Sequence, residues 1–98
     1  MLRKGTLHAR EAEPLEDGSF YSMTLINKPP HGVMVWAGKL RASARDKSAS
    51  EIGVTDYQAA EKVSFSKWAD IWEYFATREY AELAARLRKD VEALYPGE

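Results

Sequence analysis

The sequence predicts an α+β fold: a three- or four-stranded antiparallel sheet, an N-terminal meander, packed against a long C-terminal helix, with one short helix between them. Three observations carry that prediction. The first forty residues alternate β-rich runs with turn chemistry, the last third spaces its apolar residues at helical intervals, and a 98-residue chain that is 45% apolar and 30% charged has the length and composition of one globular domain. Residues 1–98 are therefore read as a single domain.

The first strand is expected over 6–13, TLHAREAE, a polar run closed by Pro14 and by the Asp17-Gly18 pair. Asp-Gly is a strong turn signal because glycine takes positive φ without a Cβ clash. The second strand, 20–27, is aromatic and β-branched, with Tyr21, Met23 and Leu25 sharing the face assigned to the core. Pro29 and Pro30 lack the ladder N–H, so the chain turns there. The third strand, 33–40, is apolar on both faces and so central, and Gly38 within it suggests a bulge or a close approach.

Residues 41–51, RASARDKSASE, sustain no period and read as a basic, mobile loop or frayed helix. Thr55 and Gln58 stand at capping-box spacing, which predicts a short helix over 56–62. A helix or helix pair then spans 65–95, with Ser64 as N-cap and Val63 and Trp68 at the hydrophobic-staple positions. A rival reading makes KVSFS a fourth, edge strand, on the alternation of Val63 and Phe65 with polar neighbours. Tyr95-Pro96-Gly97 ends the helix.

Within the helix, Trp68, Ile71, Trp72 and Phe75 form one apolar stripe. Tyr80, Leu83, Ala84, Leu87, Val91 and Leu94 form a second, rotated from the first by about 90 to 100°. A straight rod cannot aim both at one sheet, so it either breaks near Thr77 or presents one stripe elsewhere. Glu82–Arg86, Arg86–Asp90 and Arg88–Glu92 have the i,i+4 spacing of a solvated face.

The chemistry is mostly exclusion. With no cysteine there is no disulfide, thiolate metal site or cysteine nucleophile. Walker A, G-x-G-x-x-G, G-x-S-x-G and H-E-x-x-H patterns are missing, and His8 and Glu11 point to opposite faces of a strand, so neither metal nor cofactor is expected. His31, after two prolines, reads as turn filler. No run approaches the about 18 apolar residues of a membrane span or the pattern of a signal peptide, which makes the cytoplasm the expected compartment.

The expected function is that of a small non-enzymatic protein–protein interaction module: a subunit, an adaptor, an inhibitor or a homodimer. A rod of some thirty residues outruns a small sheet, leaving Tyr74, Tyr80, Leu87, Val91 and Tyr95 as candidate contacts. The alternative is a weak single-stranded nucleic-acid binder using Trp36, Lys39, Arg41, Arg45 and Lys47. A net charge of −1 argues against a strong pull toward polyanions, although residues 1–49 carry eight Lys/Arg against five Asp/Glu.

Overall fold

The computed structural model describes residues 5–28, 31–76 and 79–94. A strand apolar on both faces needs neighbours on both sides, and the chain supplies them in sequence order. Strands β1 (Gly5–Arg10), β2 (Phe20–Asn27), β3 (Val33–Leu40) and β4 (Tyr57–Phe65) form one antiparallel sheet, ordered β1-β2-β3-β4. Helices α1 (Trp68–Phe75) and α2 (Ala81–Leu94) follow.

Local chemistry sets the register. Gly18 takes φ +85° in the β1–β2 connection, and the Asp17 carboxylate beside it accepts from the Ser19 amide at 2.9 Å and the Ser19 hydroxyl at 2.5 Å. These bonds, with a third from Gln58 Nε2 of β4 at 3.2 Å, hold the Asp17 carboxyl down at about 2. Gly38 marks a bulge: Gly38 pairs with Ala60 but Leu40 with Tyr57, so β4 carries an extra residue. A Cβ on Gly38 would lie 2.2 Å from the Ala59 carbonyl oxygen, which explains why glycine stands there.

One sheet face carries Ala9, Met23, Leu25, Val33, Val35 and Ala37 against Trp68, Ile71 and Phe75 of α1 and Leu83, Ala84, Leu87 and Val91 of α2. The two stripes thus share one core. The chain breaks after Phe75 and turns before Ala81, so α2 lies over β1 and β2 while α1 packs on α2 and beside β4. Thr77, the expected break point, lies outside the described residues.

The other face is covered in part by the 41–56 connection. Three short 3-10 turns, Ala42–Ala44, Ala49–Glu51 and Val54–Asp56, run through it, closer to the short-helix reading of this stretch, and it lies on the sheet as a strap. Ala44 and Ile52 pack on Leu40 and Tyr57, with Trp36 and Ala60 at the margin. The strap is closed by Arg41 N–H donating to the Asp56 carbonyl at 2.7 Å and by the Lys47 ammonium on the Asp56 carboxylate at 2.9 Å.

Several boundaries correct the sequence reading. The expected helix at 56–62 is the first half of β4. Its capping-box spacing was a local signal, and the unpaired edge of apolar β3 outcompetes a short helix with no apolar stripe. Carboxylates do cap turns, but earlier in the chain, where Ser48 N–H donates to Glu51 at 3.0 Å and Gly53 N–H to Asp56 at 2.9 Å. The ladder runs on through Ser64, so the rival edge-strand reading of KVSFS holds and Ser64 caps nothing; α1 begins at Trp68. β1 ends at Arg10 rather than residue 13, with one further bond from Glu11 N–H to the Tyr21 carbonyl.

Phe75 is wholly buried, with its ring between those of Phe65 and Tyr80. Phe75→Ala is expected to lower the unfolding free energy by about 3–5 kcal/mol. Leu94→Ala, at a position 58% exposed, should change it by less than about 0.5 kcal/mol. Urea unfolding of the two variants compares them directly, and equal effects would contradict this core.

Candidate functional site

The C-terminal helical face does not assemble as a surface. Leu87 is 0% and Val91 3% exposed, both in this chain's own core, so neither offers area to a partner in this fold. Tyr80 is half-buried, edge-on to Tyr21 at 5.8 Å. Tyr74 is half-buried as well, its ring edge-on to Phe65 at 5.4 Å and its hydroxyl donating to the Glu61 carboxylate. Tyr95 lies outside the described residues. The expected overhang vanishes because the rod is two helices folded onto one sheet face.

The basic set does not converge either. Trp36 faces the strap side, edge-on to Tyr57 at 6.4 Å, whereas Lys39, three residues on in the same strand, faces the helices with its ammonium 5.7 Å from the Tyr21 ring centre. Arg41 Nε donates to the Thr55 carbonyl at 3.3 Å, Lys47 is neutralised by Asp56, and exposed Arg45 meets only its neighbour Asp46 at 3.5 Å.

What the strap side does assemble is a buried polar line. His8 of β1 and Thr24 of β2 are cross-strand partners, and His8 Nδ1 lies 2.8 Å from Thr24 Oγ1. The Tyr57 hydroxyl is 2.7 Å from the same oxygen. Burial, and then the charge of Arg10, push His8 down to about 4, while burial pushes the Tyr57 hydroxyl up against the pull of the Ser22 and Thr24 hydroxyls. His8 Nε2 and Trp36 Nε1 are shielded from solvent without a hydrogen-bond partner. A tyrosine made harder to ionise and a histidine made harder to protonate, with no carboxylate on the line, form a structural tie rather than an acid–base pair. No cluster of His, Asp and Glu able to hold a metal occurs among the described residues.

Beyond the strap, Thr6, Ile26 and Met34 stay half-buried and Ser64 exposed, with Ile26 and Met34 directly opposite one another. Beside this open half runs β4, an edge strand of nine residues. Gln58, Ala59, Glu61, Lys62 and Ser64 are exposed along it, and past Tyr57, whose N–H turns back to the Val54 carbonyl, no backbone group of β4 bonds to anything but β3 among the described residues. The other edge, β1, is six residues long and has α2 and the Ala49–Glu51 turn against it. Sequence reasoning missed the β4 edge as a surface. Its one signal was the alternation of Val63 and Phe65.

No helix among the described residues is long and apolar enough to cross a membrane. No protein-family model, no characterised protein and no solved structure matches this chain.

The His8 shift sets a pH dependence. Because the folded state holds its imidazole at about 4 against an ordinary value of 6.5, the unfolded chain binds the proton first as pH falls. Stability should therefore be unaffected above about 6.5, fall between about 6.5 and 4, and lose nothing more to this group below that window. The contribution of Asp17, with a folded value of about 2, is lost only at lower pH. Urea midpoints from pH 8 to 4 for the wild type and His8→Gln check this: the variant should be flatter in that window.

Proposed function

We propose that this chain is a non-enzymatic protein-binding module, a subunit, adaptor or inhibitor, that receives an extended segment of another protein along β4. The observation that carries the reading is the nine-residue edge itself, whose outward backbone groups from Gln58 onward have no partner among the described residues. Strand addition takes affinity from such main-chain groups and specificity from alternate side chains. Apolar Met34 and Ile26 lie one and two strands inward on the open face, and Val63 and Phe65 are half-buried on the helix side.

Charge on the edge supports a different chain as the partner rather than a second copy. A fully overlapping antiparallel self-pairing of residues 57–65 centres on Glu61 and sets that carboxylate opposite its own copy, which is unfavourable. Edge charges such as Glu61 and Lys62 are also how natural sheets discourage indiscriminate pairing.

A photo-cross-linking residue placed at Ser64 on β4 should form an adduct with a partner protein in the native host. The same residue at Lys89, on the outer face of α2, should form none. Adducts only at Lys89 would sink the reading, and adducts only with a second copy would replace the foreign partner by self-pairing.

A second reading, single-stranded nucleic-acid binding, has one favourable observation. The strand side chains on the strap side include the cations Arg10 and Lys62 and no carboxylate, with half-buried Trp36 among them. It predicts oligonucleotide binding that falls steeply with salt, with the logarithmic slope reduced by about 0.7 for each of Arg41→Ala and Arg45→Ala. Binding insensitive to salt, or none at low ionic strength, disposes of it.

A further inference from the structure

A cleft of about 430 Å³ opens where the β1–β2 connection meets the strap, lined by Arg10, Glu11, Ala12, Pro14, Phe20 and Arg45. Arg10 and Phe20 stand on the same sheet face at the same end of β1 and β2, and Arg45 comes from the strap above them. The Arg10 guanidinium is half-buried, donates from Nη1 to the Ala44 carbonyl at 3.2 Å, and forms no ion pair with a carboxylate among the described residues. A partly desolvated cation without a counter-ion is uncommon. Arg45 is exposed and held only by the weak contact to Asp46, so it is free to turn inward. Arg86 of α2 brings a third guanidinium to this corner, donating to the Arg10 carbonyl at 3.2 Å. Glu11 lines the cleft but pairs with neither arginine.

We infer that this cleft binds a small ligand carrying a phosphate monoester on an apolar or aromatic body, the phosphate held by Arg10 and Arg45 and the body laid on exposed Ala12 and Pro14 above the margin of buried Phe20. Two guanidinium forks suit the geometry and near-double charge of a phosphate better than those of a single carboxylate. The size of the cleft lies within the range of small-molecule sites. The site is remote in the sheet order from the β4 edge, since β1 and β4 are opposite edges, and stands whether or not a partner strand binds there.

Backbone amide shifts in two-dimensional NMR read the titration of the whole chain with phenyl phosphate, inorganic phosphate and phenol. Phenyl phosphate should shift Glu11, Ala12, Phe20 and Arg45 saturably and bind about tenfold more tightly than inorganic phosphate, whereas phenol should not bind. Arg45→Ala, at an exposed position, should weaken phenyl phosphate about tenfold without changing the melting temperature. Arg10→Lys, which keeps the charge but not the fork, should weaken it while leaving the strap amides in place. Absence of saturable shifts up to about 10 mM phenyl phosphate, or Arg45→Ala binding like the wild type, would overturn the site. A short oligothymidylate that displaces phenyl phosphate and binds more tightly would also overturn it, because the anion contacts would then belong to a polynucleotide.

Discussion

The rest of the structure depends on β3 being apolar on both faces. Val33, Val35 and Ala37 are buried on one side and Leu40 on the other, with Trp36 and Met34 half-buried beside it. Such a strand needs a neighbour at each edge and a cover on each face. β2 and β4 supply the neighbours. The helices cover the centre of one face, and the 41–56 strap covers only the end of the other that holds Leu40 and Tyr57. The open half around Ile26 and Met34 is thus the remainder left by a cover too short for the face.

The same demand explains which parts of the fold were legible in the sequence. β2 and β3 announce themselves through alternation and through the turn residues that bound them, because those signals are local. So do the two helical stripes, whose mutual rotation already required a bend. β4 was half hidden because its stability comes from pairing with a strand some twenty residues earlier, while its own sequence carries only a capping-box spacing and two alternating hydrophobes. Burial of Leu87 and Val91 was illegible for a related reason: periodicity tells which residues share a face but not whether the chain doubles back to cover it.

The candidate sites were still less legible. An open edge is a property of strand order, which no residue of β4 encodes, and the phosphate cleft draws Arg10, Phe20 and Arg45 from three segments that meet only in the folded chain. Charge pairing shows the same limit. Of the three i,i+4 pairs that α2 could form, Arg88–Glu92 is made at 3.0 Å, but Arg86 reaches instead to the Arg10 carbonyl and ties α2 to β1. A surface pair on a helix contributes about 0.3–0.5 kcal/mol, so a charged hydrogen bond to a carbonyl of the neighbouring strand readily outcompetes it.

The polar line beneath the strap follows from this arrangement. A strap held to the sheet only by Ala44 and Ile52 would be free to slide, since apolar contact is non-directional. The bonds from His8 to Thr24 and from Thr24 to Tyr57 are directional, and so is the donation from Arg10 to Ala44. The first two tie β1, β2 and the start of β4 together beneath the strap, and the third pins the strap itself to β1. The cost is that Arg10 sits half-buried without a counter-ion among the described residues and His8 resists protonation. The interaction that locks the strap in place is therefore also the one that leaves a positive cleft at its margin, and the short reach of that strap leaves the half-face beside β4 uncovered. Both candidate surfaces descend from how the second face of a two-faced strand is closed.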